Sequence, residues 1–273
     1  MEGVSVSARL RGLSPRRRLL LAATTLVVVA AAVAAVVVAT NSRTAGAPST
    51  GAPAQDRPGP VLLIPGYGGS RGSLEQLASV IHARTGREAD VLTLAGDGTG
   101  DLNRQVGVLA DAVGRAYRGG APSVDVIGYS AGGVVARLWV AQSGGEHQAR
   151  RVITLGAPLH GTTLAATGAA FVPGACPVAC QQLTPGSALV RRLGPVPSGL
   201  PWLSLWTRLD QTVVPPASAR IDGAVNVALQ QVCPGDRATH GDLPTDPAVT
   251  GFVLQALGTA PLRPPTGCPA VSS

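Results

Sequence analysis

Gly128-Tyr129-Ser130-Ala131-Gly132 has the pattern G-x-S-x-G. A serine hydroxyl is a weak nucleophile, and it attacks a carbonyl carbon readily only when a neighbouring base takes its proton. The pattern alone carries little weight in a chain with 35 glycines, so its setting decides. An apolar run, Ser123 to Gly128, precedes it, and a helical stretch containing Val134 to Trp139 follows. A serine on a sharp strand-to-helix turn stands exposed at the carboxyl end of its strand. It needs small flanking residues, and the helix N-terminus behind it favours developing negative charge. The plain alternative is a serine acting as an ordinary helix N-cap. Other chemistries lack their residues. There is no lysine and no G-x-x-x-x-G-K-[ST] loop to cradle phosphates. The one close cysteine pair, Cys176 and Cys180, has no second ligand pair at zinc spacing.

The elements that must hold this turn alternate along the chain. Val61 to Ile64 is a continuous apolar run ending at Pro65-Gly66, the pattern of a strand buried on both faces. Leu74, Leu77, Val80 and Ile81 give residues 73–84 one apolar helical face. Further strands are expected at 90–94, 123–128, 151–155, 203–206 and 224–231. Helices are expected at 101–118, 130–142 and 247–257, the last with proline in its first turn. The alternation predicts an α/β fold with a mostly parallel central sheet, helices on both faces and right-handed crossovers. Residues 157–200 break the rhythm. From Val152 to Val190 there are 39 residues without Asp, Glu, Lys or Arg. Placed after the fourth strand, this segment is expected over the carboxyl end of the sheet. It would form part of an apolar cap lining an acyl pocket, with Phe171, Val172 and Val178 among its contacts. A packed structural loop stapled by Cys176 and Cys180 is the alternative.

The segments VLLIPGYGG (61–69), VDVIGYSAGGVVARLW (124–139), RVITLGAPLHGT (151–162), WTRLDQTVVP (206–215) and THGDLPTDPAV (239–249) carry a resemblance. The chain resembles bacterial extracellular lipases and esterases of the α/β-hydrolase superfamily, especially the compact class 2 lipase group. The resemblance implies a compact α/β-hydrolase fold over residues 60–273 and a Ser-His-Asp triad. In such hydrolases the order along the chain is Ser, then Asp or Glu, then His. Of the histidines after Ser130, only His240 has both a candidate acid and a strand between it and the serine. Asp210 lies just past an apolar run, before Val213-Val214-Pro215-Pro216, and is the preferred acid. Asp236 and Asp242 crowd His240 in sequence, and Asp222 precedes the last strand, at the wrong end of the sheet. Ser130 would be nucleophile, His240 general base and then acid, and Asp210 its orienter. The backbone N–H groups of Ala131 and, by resemblance, Tyr67 would form the oxyanion hole. Here the chain departs from the family, which commonly has His-Gly where Pro65-Gly66 stands. His160 reads as loop structure or pocket wall, His82 as a surface residue and His147 as a loop residue. The implied activity is hydrolysis of carboxylic esters such as triacylglycerols or similar acyl esters, with no cofactor and no metal. An acyltransferase or thioesterase on the same triad, or a catalytically decayed binding protein on this fold, are the alternatives.

Leu19 to Thr40 is 22 residues without a charge, behind Arg16-Arg17-Arg18. A helix needs about 20 apolar residues to cross a bilayer. Residues 1–18 therefore read as a basic cytoplasmic flank and 19–40 as a signal core or uncleaved anchor helix. Residues 41–59 read as a flexible Pro/Gly linker. Either version places the catalytic domain outside the cytoplasm, with membrane contact through 19–40 if uncleaved. The four cysteines fit an oxidising compartment. Three pairings are open, and Cys176–Cys180 with Cys233–Cys268 is favoured. The net charge of +7 does not mark a nucleic-acid binder. Beyond residue 40 there are 17 arginines against 14 acidic residues, scattered and without interleaved aromatics. A monomer acting on a lipid or acyl ester is the expectation.

Overall fold

The computed structural model describes residues 14, 16, 24, 26–33, 51–171 and 176–269, and for 169–171 the backbone alone. The chain divides into two units, Met1–Ala47 and Pro48–Ser273. In the first, described residues 26–33 are helical and exposed. Most of the apolar segment 19–40 and its basic flank 1–18 lie outside the described residues. Among the described residues, no helix is long and apolar enough to cross a membrane.

In the second unit, β1 (Val61–Ile64) is buried along its whole length. Its alternate side chains face two different cores. Leu62 and Ile64 pack with the helices α2 (Leu102–Arg118) and α3 (Ala131–Ser143). Val61 and Leu63 pack with α1 (Gly72–Thr85) and α8 (Pro247–Leu257). A strand covered by helices on both sides has no polar face, hence the unbroken apolar run. The remaining strands are β2 (Ala89–Val91), β3 (Val124–Tyr129), β4 (Ala149–Leu155), β5 (Trp202–Trp206) and β6 (Val225–Ala228). All pairings are parallel, in the order β2-β1-β3-β4-β5-β6. The chain goes one way from β1 to β2 and the other way from β3 onward. The crevice at that reversal, outside the carboxyl ends of β1 and β3, is where open α/β sheets bind ligands.

The observed elements correct several boundaries. The run 224–231 is strand only to Ala228, and Leu229–Val232 forms a short helix, α7. The segment after β4 carries three short helices, α4 (Thr163–Phe171), α5 (Val178–Gln182) and α6 (Ala188–Arg191). Cys176–Cys180 and Cys233–Cys268 are disulfide-bonded. Two residues of the segment expected as a linker are tied to distant residues. Gln55 donates from Nε2 to the Arg150 carbonyl (3.0 Å), and Gly59 N–H donates to Ser123 Oγ (3.0 Å). These residues therefore belong to the folded unit.

β4 begins at Ala149, two residues before the expected start at 151, because Arg150, like Arg151, is a buried strand residue. Asp125 on β3 explains this. Arg150 grips both its carboxylate oxygens, through Nε (3.0 Å) and a terminal nitrogen, and Arg87 reaches Oδ2 at 2.6 Å. Other guanidinium donors meet the last carbonyls of α8 and the residue after it. Arg151 donates to Ala256 (2.6 Å), Arg150 to Leu257 (2.8 Å) and Gly258 (2.8 Å), and Arg87 to Leu257 (3.2 Å). Cationic groups here satisfy carbonyls that a helix leaves unpaired and oppose the negative end of its dipole. At the other end, Asp246 caps α8 by accepting from Val249 N–H (2.9 Å).

Asp125→Ala strands two arginines in a buried site without their counter-charge. It is expected to lower unfolding stability by about 3–5 kcal/mol, as breaking one side of a buried ion pair does. Urea titration checks this, and a loss below about 1 kcal/mol would mean the carbonyls alone hold the arginines.

Candidate active site

Ser130 follows β3 directly and immediately precedes α3. It is the one non-glycine residue at positive φ among the described residues (φ 52°, ψ −125°). Its side chain makes no cap hydrogen bond to the helix, so the N-cap reading of the sequence does not hold. Close packing enforces the turn. A Cβ on Gly132 would lie 2.3 Å from the Ile64 carbonyl oxygen, and one on Gly128 would lie 2.5 Å from Gly133 Cα. Gly133, which the five-residue pattern does not include, is equally confined, since its Cβ would lie 2.4 Å from Ala157 Cβ.

His240 lies in the loop between α7 and α8, and Asp210 in the loop after β5. Both are buried, and His240 Nδ1 is 2.6 Å from Asp210 Oδ2. A carboxylate only accepts, so Nδ1 carries the proton and Nε2 is left as the acceptor. The other Asp210 oxygen accepts from the N–H groups of Thr212 (2.9 Å) and Val213 (2.7 Å), which fixes the carboxylate. The rival acids are occupied elsewhere. Asp236 accepts from Ala238 N–H, and Asp242 caps Thr239.

Ser130 and the imidazole meet through β4. Ser130 N–H donates to the Leu155 carbonyl (2.8 Å), and the His240 ring lies over the next residue, Gly156. A Cβ there would fall 3.1 Å from His240 Nδ1 and 2.7 Å from Leu243 Cδ1, and φ is +56°. Among the described residues, no hydrogen bond joins the Ser130 hydroxyl to the ring. In hydrolases such contacts commonly tighten only when substrate binds.

The loop after β1 lies against the serine, with Gly66 Cα so near that an added Cβ would sit 3.1 Å from Ser130 Cβ. Gly69 N–H donates to the Gly66 carbonyl (3.0 Å), closing a turn that carries Tyr67 and then Gly68 at φ +80°. That φ at the third position marks a type II turn, which calls for glycine. The Tyr67 side chain is exposed. The amides of Tyr67 and Ala131 enter none of the loop or turn hydrogen bonds among the described residues, so both have donors to give.

The segment after β4 is sewn to its surroundings. Thr163 N–H donates to the Val214 carbonyl beyond Asp210, and Ala179 N–H donates to Thr99 in the loop after β2. Arg137 of α3 is buried and donates to the carbonyls of Leu159 (2.8 Å) and Leu193 (2.9 Å). Burial pushes its guanidinium down to about 10, which leaves it charged at neutral pH. His160 is exposed and binds Ser218, bridging the loops after β4 and β5. Val178 is half exposed. Val172 and the Phe171 side chain lie outside the described residues. His82 is exposed, as expected. A separate cavity of about 830 Å³ lies between β2 and α2, lined by Leu62, Asp90, Leu92, Val108 and Arg115, away from Ser130.

Gly156→Ala should displace the His240 ring and slow fluorophosphonate labelling of Ser130 by on the order of 10²-fold, the scale of a 1 Å misplacement. Unchanged labelling would mean that ring placement over Gly156 does not govern the serine.

Three solved structures share this architecture. Aspergillus fumigatus lipase B superposes with a TM-score of 0.60 at 18% identity, over 77% of this chain and 54% of that one. The chain thus spans about half the length of that lipase. The metagenome-derived lipolytic enzymes LipS and LipT give 0.53 at 19% identity, over 75% of this chain and 92% of that one. The propeptide form of Bacillus licheniformis lipase BlEst2 gives 0.52 at 16%, over 77% and 50%. At these identities the likeness is one of fold. Among curated protein sequences, none matches this chain. Residues 57–171 match the family described as the PGAP1-like alpha/beta domain, a stretch that includes Tyr67 and Ser130 and ends before Asp210 and His240. The chain therefore has an α/β-hydrolase-like fold, and its residues 57–171 are similar to the PGAP1-like alpha/beta domain.

Proposed function

We propose that this protein is a serine hydrolase of carboxylic esters, lipase-like in its substrates, that works outside the cytoplasm. The observation that carries this reading is the buried Asp210–His240 pair, its ring over Gly156, beside a serine held at positive φ. Ser130 Oγ attacks the ester carbonyl carbon while His240 Nε2 takes its proton. The tetrahedral oxyanion accepts from the N–H groups of Ala131 and Tyr67, and the imidazolium is stabilised by Asp210. Collapse breaks the ester bond, and His240 returns the proton to the leaving alcohol. Water, deprotonated by His240, then releases the acid and restores Ser130. The chemistry needs no metal or cofactor.

A lipid or long acyl ester is favoured by the surface around the serine. Tyr67, Leu164, Val178 and Leu209 are exposed, and all lie on segments beyond the carboxyl ends of β1, β4 and β5. Isolated exposed apolar residues are ordinary, but four at one end of the sheet suit an apolar substrate. The two disulfides support an oxidising location. Residues 19–40 would serve as export signal or membrane tether.

The full chain is expected to hydrolyse p-nitrophenyl esters, and Ser130→Ala to lower kcat by about 10⁴-fold or more. A folded chain that turns over no ester from acetate to palmitate and takes no fluorophosphonate would defeat the proposal. Replacing Leu164 and Val178 together by serine should slow palmitate turnover several-fold while sparing acetate. Equal slowing of both esters would remove these side chains from acyl recognition.

A further inference from the structure

We propose that Tyr129 is a positioning residue for His240, tying the general base to the same strand that carries the nucleophile. The inference rests on the catalytic reading above.

Tyr129 is the last residue of β3 and immediately precedes Ser130. Its backbone is fixed between neighbours, since β3 pairs with β1 on one side and Tyr129 itself registers with Leu155 of β4 on the other. Its side chain extends to the His240 loop. The phenol O–H donates to the His240 carbonyl oxygen (3.1 Å), and the two rings lie 5.2 Å apart between centroids, tilted by 33°. The base is thus touched on its ring and on its own backbone by the residue next to the nucleophile. Their separation is then set by one tyrosine and one peptide bond, rather than by the sum of two long loops.

The other holds on this loop act elsewhere. Asp210 fixes the ring through Nδ1, and Thr207 Oγ1 donates to the Ala238 carbonyl (2.6 Å), two residues before the histidine. The only other partner of the His240 carbonyl among the described residues is a long bond from Leu243 N–H (3.4 Å). Tyr129 therefore supplies the shorter anchor for the His240 backbone. Burial, helped by the charges of Asp210 and Asp242, pushes the phenol up to about 12, so it remains a donor at any pH where an ester hydrolase would work. A partly buried phenol with a charged or reactive role would need the opposite shift. The phenol has no direct part in the proton transfers.

Tyr129→Phe tests this, because it keeps the ring and removes the donor. In the full chain, kcat for p-nitrophenyl butyrate is counted per site titrated with a fluorophosphonate, so that partial misfolding does not enter. The expected result is a kcat lower by about tenfold, equivalent to about 1.4 kcal/mol in the barrier. KM and the thermal midpoint should remain close to wild type. A misplaced base slows acylation without weakening substrate binding, whereas a residue of the binding surface would raise KM instead. Unchanged kcat, a raised KM at constant kcat, or loss of the fold would each overturn the role for Tyr129. A wild-type chain that neither hydrolyses an ester nor takes the probe would instead overturn the catalytic reading. An active wild type with an equally active Tyr129→Phe defeats only the positioning role.

Discussion

The close approach of β3, α3 and the end of β1 at Ser130 is the constraint on which the rest of the architecture turns. Three glycines, 128, 132 and 133, have their missing side chains replaced by backbone or by a neighbouring methyl at 2.3–2.5 Å. No other residue permits a strand to reverse into a helix in that space. The cost is a serine at φ 52°, tolerated because the surrounding sheet and helix leave no alternative path. What this arrangement achieves is placement. Ser130 stands at the switch point of the sheet, beside the Gly66–Gly69 turn and the start of α3, where the Tyr67 and Ala131 amides enter no loop or turn hydrogen bond among the described residues.

The two ends of the sheet divide the work. At the amino end, Asp125 and three arginines clamp the last carbonyls of α8. At the carboxyl end, the loop leading into α8 carries His240. The helix joins an electrostatic anchor on one side to the loop of the buried His240–Asp210 pair on the other. Burying three guanidiniums around one carboxylate would be unfavourable if their remaining donors went unmet. The carbonyl groups of α8 and of Gln55 and Ala260 meet them. The same logic holds at Arg137, whose buried charge has three backbone carbonyls around it and is also attracted by Asp222.

Much of the fold was legible because its signals are local. The helix 247–257 and the strand start at Val61 follow from apolar periodicity and a proline at the first helical turn. Signals that depend on distant partners were not. Arg150 and Arg151 look like the polar lead of a strand until Asp125 and the end of α8 are brought against them. Residues 53–59 have a linker's composition, yet Gln55 and Gly59 are fixed by Arg150 and Ser123, which lie far away in the chain. The apolar run after Ala224 continues past the strand because Leu229 packs in the core from a helix as well as it could from a strand. A short apolar run does not distinguish the two.

At the site, the sequence by itself determined the setting of Ser130. G-x-S-x-G between an apolar strand and a helix is a short-range pattern, dictated by the steric limits of a single turn. It also ranked His240 and Asp210 by their order along the chain. Only the tertiary structure decided that those two side chains touch, that Gly156 leaves room for the ring, and that Tyr129 reaches the His240 carbonyl. These contacts join residues 30, 84 and 111 positions apart. No local preference encodes them, because they arise only when six parallel strands align their carboxyl ends and bring separate loops to one crevice.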